Sequence, residues 1–481
     1  MQLIFSFDTE DYVDPASNDA LLALAQLHTK HEVPATFGLV GEKARFIHAC
    51  GRSDVVEALK DHEVGYHSDH HFILPNWRYD PRHMPAWVNE KDWDSAMDRL
   101  LAEESRGVAD IGEIFGERPV TQLRNYGDWT PQVMAAHARL GLGVHAYGPV
   151  FHMTDPTPIW YCNQLQIANP RLMYENYLHD FDLTPQEKLK RHIADVQKHL
   201  DEGTPRLGWV NHPTRFIADH WWEEPNWWGH CDDPPRKDWT WPERFDAKTT
   251  EELLWIADEL IGWVARHPDI EFRTFRDLYE EHRPKRVWVE EREVMALAEL
   301  VGDRPAMVEL NGETYSPAEL FGLFTHWFGA PEVAEDRTCG SIHPLRRILG
   351  PTEEPAWHVG GRASEWLVMD AAKDVEMFIR DHGRVPARIK IGSEEIGPGA
   401  FLVALASILR GDEGLEVRIP PTDNLPEEYA PGHYDAIETQ GFPMGYIQYQ
   451  GRREELDFSA IRQHAKWQYW TFKVATKDGG F

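Results

Sequence analysis

Short apolar runs alternate with segments of helical spacing over about the first 285 residues, and few folds accommodate that pattern. The pattern predicts strands at Leu3–Phe7, Ala35–Val40, Glu63–Tyr66, Val120–Asn125, Leu142–Tyr147, Pro158–Ile167, Leu207–Asn211 and Glu271–Thr274. Helices are expected at Asn18–His31, around Asp54–Asp61, from Asp94 to Phe115, after Thr130-Pro131, at Pro185–Leu200 and at Thr250–His267. Alternation on this scale means a parallel sheet, open or closed into a barrel, with chemistry beyond the C-terminal ends of its strands. Polar residues stand at those places: after Phe7, after Tyr66, after Leu123 and after Val210.

Phe7-Asp8-Thr9-Glu10-Asp11 sets three carboxylates at one strand end, an arrangement that repels itself unless a cation or a proton is shared. A capping or turn cluster is the plainer alternative. In His67-Ser68-Asp69-His70-His71 the outer imidazoles can converge on one ion, from a helical turn or from a folded loop. With 25 histidines in the chain, the spacing alone also fits solvated loop residues. Joined to a carboxylate from a neighbouring strand end, the pair makes a two-His, one-carboxylate site with coordination positions left for water and substrate.

In their order along the chain these pieces resemble the polysaccharide deacetylase family, whose catalytic domain is shared by chitin, peptidoglycan and nodulation-factor deacetylases. The family's first strand ends in an aspartate pair; a His-Ser/Thr-x-x-His motif, an Arg-led motif and a late strand ending in His follow. The counterparts here are Asp8 with Glu10 or Asp11, His67 to His71, Arg124-Asn125-Tyr126-Gly127-Asp128-Trp129-Thr130-Pro131, and Asn211-His212-Pro213, spread over about 275 residues. The resemblance implies a distorted (β/α) barrel of about seven strands and a divalent metal, usually Zn²⁺. It implies a hydrolase that removes N-acetyl groups from an amino-sugar-containing carbohydrate. Under it Asp8 is the general base, His67, His71 and either Glu10 or Asp11 are the metal ligands, His212 is the general acid and Arg124 orients the base.

Because Thr9 follows Asp8, the carboxylate ligand moves to Glu10 or Asp11, and strand alternation favours Glu10, on the face of Asp8. The Arg-led motif lacks its usual proline, and no partner aspartate stands near Ala146–Val150. These departures bear on the substrate more than on the metal. A small-molecule amide, as in the family's allantoinase-like branch, and a non-catalytic carbohydrate- or wall-binding protein are the alternatives. Tyr126 and Trp129 in the Arg-led motif join Trp221 and Trp222 as candidate substrate-binding residues. The last two open a stretch, Asp219–Phe245, that also holds Trp227, Trp228, Trp239 and Trp241. Such a stretch either overhangs the site as a wall of indole faces or builds a small core of its own.

Residues 286–481 form a second expected domain, smaller and α+β, with internal repeats near 290–330 and 370–411. Gly302, Pro305, Ala306 and Pro317 recur as Gly383, Pro386, Ala387 and Pro398, and Val308 and Leu310 as Ile389 and Ile391. Each unit reads as helix, turn, short strand, turn, helix. The spacing weakly resembles the pseudomurein-binding repeat of archaeal cell-wall-binding proteins; a docking surface, or a homo-oligomer formed through this domain, is the alternative. Trp467-Gln468-Tyr469-Trp470-Thr471-Phe472 reads as an aromatic strand packed on this domain.

Charge narrows the partners. Asp+Glu 80 against Lys+Arg 49 gives −31, which repels phosphate backbones and anionic lipid, so neither nucleic acid nor membrane is expected. No stretch reaches the roughly 18 apolar residues of a membrane span. The N-terminal run reads as a strand broken by Asp8 rather than as a leader. Cys50, Cys162, Cys231 and Cys339 form no close pair, as expected of free thiols in a reducing, cytoplasmic setting.

Overall fold

The computed structural model describes residues 1–71, 88, 92–123, 130–152, 155–173, 175–227, 235–285, 288–330, 337–338, 341–412, 414–421, 424–439 and 458–477. The alternating runs become a mostly parallel sheet: β1 (Gln2–Thr9), β2 (Ala35–Leu39), β3 (Glu63–Tyr66), β4 (Thr121–Gln122), β5 (Val144–Ala146), β6 (Ile159–Tyr161), β7 (Gln164–Ile167), β8 (Arg171–Met173), β9 (Arg206–Asn211) and β10 (Glu271–Phe272). The order is β6-β7-β5-β4-β3-β2-β1-β9-β8, with β10 beside the start of β1. β8 follows β7 after three residues, so Ala168-Asn169-Pro170 carries the chain across the seam from the β5 side to the β9 side. With the hairpin partner β6 and the short β10 set aside, and β7 and β8 counted as one interrupted stave, seven staves remain (β1 to β5, β7/β8 and β9), the number the family resemblance implies.

Alternation along β1 sorts the two layers. Leu3, Phe5 and Phe7 face outward into a core shared with Leu21, Leu24, Phe37, Trp209 and Leu260 under the surrounding helices. Ile4 faces inward with Leu123, Val144, Ile167 and Val210, and Ser6 meets the Tyr147 hydroxyl at 2.5 Å. Asp8 continues that inward row at the barrel mouth. Helices of seven residues or more among the described residues of this region are Ala16–Lys30, Gly41–Ala49, Ser53–Leu59, Trp93–Phe115, Pro131–Arg139, Pro185–Asp201, Ala247–Ala265 and Phe275–His282. Several begin as their sequences dictate: Thr130 Oγ1 accepts from the Val133 N–H ahead of Pro131, and Thr184 and Glu187 form a reciprocal capping box. The expected single strand Pro158–Ile167 is instead a hairpin. Cys162 (φ 50°) and Asn163 (φ 62°) both turn left-handed, which reverses the chain between β6 and β7.

Beyond the barrel the C-terminal region is largely helical. Its first unit is helix Glu291–Leu300, hairpin Val308–Leu310/Glu313–Tyr315 and helix Pro317–Gly329; its second is helix Glu365–His382, hairpin Ile389–Ile391/Glu394–Ile396 and helix Pro398–Arg410. Each unit thus holds a two-stranded hairpin where one strand was expected. Phe321 and Phe324 from the first unit and Phe401 and Leu405 from the second share one core. The aromatic segment near the C-terminus is not a strand. Trp467 ends the helix Ser459–Trp467 and Gln468–Thr471 is a buried 3-10 turn. Trp470 enters the C-terminal core, whereas Tyr469 and Phe472 pack with Val133, Met134 and Tyr161 of the barrel. Lys473–Val474 then extends the barrel sheet antiparallel to β6. Among the described residues no helix is long and apolar enough to cross a membrane, and Cys50 and Cys162 are free thiols.

Candidate metal centre

The inward row of β1 and the loop after β3 meet at the mouth. One donor atom each from Glu10, His67 and His71 lies within 4.8 Å of the others, and all three residues are buried. His71 Nε2 is 2.6 Å and His67 Nε2 3.4 Å from the same oxygen, Glu10 Oε2. The far nitrogens fix the roles of the near ones. His67 Nδ1 lies 3.0 Å from the Leu123 carbonyl, which only accepts, so Nδ1 carries the proton and Nε2 presents a lone pair. His71 Nδ1 lies 3.4 Å from Glu223 Oε1. Lone pairs then converge on a carboxylate with no positive charge between them, and a divalent cation fits that donor set. In its place a proton must sit there. Burial alone would raise Glu10 and lower His71, but their mutual attraction holds Glu10 well below the carboxylate range and lifts His71 to about 10.

The two histidines sit on a folded loop, with Ser68 (φ 69°) and His71 (φ 56°) left-handed. Asp69 braces it from below: buried itself, it meets Arg45 Nη1 at 2.8 Å, and its N–H donates to Glu104 Oε2 at 3.2 Å. Glu104 also accepts from the Tyr66 hydroxyl. Two glycines make room for this brace. A Cβ on Gly41 would come 2.1 Å, and one on Gly107 2.6 Å, from Asp69 Oδ1.

Asp11 is not drawn into the cluster. Its Oδ1 accepts the Val13 and Asp14 N–H groups, both at 2.9 Å, and its Oδ2 accepts from Thr214 Oγ1 at 3.0 Å. It is a turn-forming carboxylate joining β1 to the segment after β9. Asp8 Oδ2 lies 3.6 Å from His212 Nε2, and Asp8 Oδ1 is buried with no hydrogen-bond partner among the described residues. His212 Nδ1 is 2.6 Å from Glu175 Oε1, which also accepts the His212 N–H at 3.0 Å. Burial would lower the His212 imidazolium, but Glu175, with Glu10 and Asp8 beyond it, raises it to about 9.

Trp221 stands edge-on to the His212 ring, centroids 4.6 Å apart, and its own face carries the Arg215 guanidinium at 4.9 Å. Trp222 departs from the expectation of a substrate-facing indole. It is fully buried with Tyr12, Val13 and Val40, and its Nε1–H donates to Glu10 Oε1 at 3.0 Å, so it braces the carboxylate from behind. Trp239 and Phe46 pack on the same cluster, so these two indoles of the aromatic segment lie against the segments after β1 and β2 and form neither a separate core nor an open wall. Arg124, Tyr126 and Trp129 lie outside the described residues, as do Trp228, Cys231 and Cys339.

Glu175 and Glu223 escaped the sequence reading. Glu175 had a usable signal, for it stands just past β8 as Asp8 stands at the end of β1 and His212 just past β9, but β8 itself was unrecognised. Glu223 had none; a glutamate between two tryptophans in a long connection looks like any solvated acid.

No family model and no curated protein matches the chain. Solved structures do. The chain is similar to a putative polysaccharide deacetylase from Mycobacterium smegmatis, at 16% identity over 58% of this chain and 88% of that one, TM-score 0.36. It is similar to Puue allantoinase, at 13% identity over 58% and 91%, TM-score 0.37. It is also similar to a CE4 family pseudoenzyme from Bacillus anthracis, at 14% identity over 58% and 64%, TM-score 0.30. Likenesses this distant leave the chemistry to be read from the side chains themselves.

Proposed function

We propose that the protein is a metal-dependent hydrolase that removes N-acetyl groups from an amino-sugar-containing carbohydrate, with residues 1–285 as the catalytic unit and 286–481 as an accessory domain. The observation that carries this reading is the convergence of Glu10, His67 and His71 within 4.8 Å beside the Asp8–His212 pair. Glu10 Oε2 and the Nε2 atoms of His67 and His71 would hold the ion, Zn²⁺ by the preference of a His-rich donor set. A bound divalent ion of this kind lowers the pKa of water and polarises an amide carbonyl.

The chain's own residues supply the rest. Asp8, with one buried oxygen unmatched, accepts the proton of the attacking water as general base. His212, kept protonated through neutrality by Glu175, donates a proton from Nε2 to the departing amine nitrogen. Glu175 holds Nδ1, which fixes the ring and leaves Nε2 facing Asp8 and the mouth. Trp221 closes one side of His212 and limits the water around it.

Elemental analysis of purified wild type beside His67→Ala, run together with acetate release from N-acetylated sugars and from small ureides and amides, tests the assignment. Wild type is expected to carry about one metal per chain and to release acetate from the sugars, and His67→Ala to do neither. Equal metal in both proteins removes the ligand set. Turnover of ureides alone moves the substrate to the non-sugar class, and metal without any turnover leaves a binding protein.

A further inference from the structure

A cavity of about 220 Å³ lies at the end of the barrel away from the metal centre, where Leu142 and Gly143, just before β5, face the C-terminal region. Its lining includes four basic side chains, Arg283, Arg346, Arg347 and Lys473, and one carboxylate, Glu319. In a chain of formal charge −31 such a gathering runs against the composition.

The four cations are not equivalent. Lys473 Nζ is 2.6 Å from Glu319 Oε1, and Arg283 Nε is 2.6 Å from Glu280 Oε2, so both are matched within the protein. No hydrogen bond or ion pair among the described residues ends on the guanidinium of Arg346 or Arg347. Both side chains are exposed; partial desolvation lowers Arg346, and the adjacent Arg347 charge adds to that, against the pull of Glu319. The turn that presents them is pinned on both sides. Ile348 is buried in the C-terminal core with Leu345 packed against it, and Asn163 Nδ2 in the β6–β7 turn donates to the Arg347 carbonyl at 2.9 Å. Arg347 itself takes a left-handed backbone, φ 57°, uncommon for a residue with a side chain. Two like charges, adjacent in sequence and without a hydrogen-bond or ion-pair partner among the described residues, are held on a fixed turn at a cavity.

We propose that this cavity binds a small phosphate ester, its phosphate gripped by Arg346 and Arg347 and its organic part lying against Trp160 and Tyr279. The two guanidinium forks match the charge and the oxygen geometry of a phosphate dianion better than those of a single carboxylate. The aromatic pair, ring centroids 6.4 Å apart, lines the same space and offers an apolar wall. A volume of 220 Å³, below the common range for ligand pockets, limits the occupant to a compact monoester.

Isothermal titration of the full chain with phenyl phosphate and with inorganic phosphate tests the site, on wild type and on His67→Ala, in which the metal centre no longer competes for anions. Saturable binding of phenyl phosphate is expected in both proteins, about tenfold tighter than inorganic phosphate and weakening as salt rises. The double variant Arg346→Ala/Arg347→Ala should lose at least about tenfold in affinity, while Arg292→Ala, on an exposed arginine paired with Glu290, should lose nothing. Should the double alanine variant fold poorly, Arg346→Lys/Arg347→Lys keeps the charge and removes the forks, and should bind severalfold more weakly than wild type. Binding that vanishes in His67→Ala, that survives the arginine variants unchanged, or that never saturates overturns the site. Equal affinity for the two ligands overturns the aromatic contact.

Discussion

At the scale of single residues, the site divides between groups that hold an ion and groups that move protons, and substitutions should separate them. Asp8→Asn is expected to retain the metal and lose about 10²- to 10⁴-fold in kcat, since the general base is removed while Glu10, His67 and His71 stay; loss of metal in that variant would place Asp8 among the ligands. Glu175→Gln tests the proton donor. The carboxylate of Glu175 is the largest influence raising His212 to about 9 against its burial, so wild-type activity should fall as pH rises through that region, where the imidazolium is lost. Removing the negative charge lowers the His212 pKa, so the alkaline limb of the kcat profile should move to lower pH by a unit or more, with the acid limb unmoved. An unchanged profile would sink the assignment of His212 as the acid. Part of this site was legible beforehand: Asp8, Glu10, His67, His71 and His212 stand out because titratable groups at strand ends are conspicuous against apolar runs. The choice of Glu10 over Asp11 followed from alternation, whereas the backbone and Thr214 contacts that occupy Asp11 are long-range and leave no trace in local sequence. Trp222 was misplaced for a related reason, since an aromatic residue looks the same in sequence whether it faces sugar or braces a carboxylate.

Elements carry the second level of control, because the metal-facing loop is only as rigid as the layer beneath it. The segment from His67 to His71 has two left-handed residues and no helix to hold it, so its shape depends on Asp69 wedged between Arg45 and the two glycines that admit it. Gly107→Ala drives a methyl to 2.6 Å from Asp69 Oδ1 and 2.9 Å from Tyr66 Cε2, inside the helix Trp93–Phe115 where neither neighbour has a free direction. The expected cost is about 1–3 kcal/mol of stability, read by denaturant unfolding. A metal affinity weaker by about tenfold or more should accompany it, because the ligands lose their outer support. A variant destabilised with unaltered metal affinity would show that the loop is held by its own turn geometry. Most elements were legible from periodicity, the strands from buried apolar runs and the helices from their shared faces and Pro-led starts. The exceptions include the helices Gly41–Ala49 and Phe275–His282, which the expected helices do not cover, and two shorter features. β8 spans three residues with no apolar run, and the β6–β7 hairpin hides inside one continuous strand-like stretch because Cys162 and Asn163 are not the Gly-containing pair that usually marks a tight turn.

For the whole molecule, the question is whether the barrel stands without the region that follows it. The sequence suggested a division near residue 285, but the chain returns: Lys473–Val474 adds a strand to β6, the Tyr161 hydroxyl donates to the Ala465 carbonyl at 2.7 Å, and the Cys162 N–H donates to Thr471 Oγ1 at 2.8 Å. Val133, Met134 and Tyr161 on the barrel are buried under Ile461, Ala465, Tyr469 and Phe472, a contact between residues more than 300 apart that no local pattern announces. A protein ending at residue 285 would expose those three side chains, at about 1.5–3 kcal/mol each. It would also leave the hydrogen-bonding edge of β6 open, a template for pairing with another chain. Expressed alone, residues 1–285 should therefore bind a dye specific for exposed apolar surface, elute as oligomers in size-exclusion chromatography and melt well below the full chain. The metal ligands Glu10, His67 and His71 all precede residue 285, so the fraction that folds should still bind one ion. A monomeric 1–285 protein with the melting temperature of the full chain would mean that the returning segment only rests on the barrel, and the two regions would then be independent folding units.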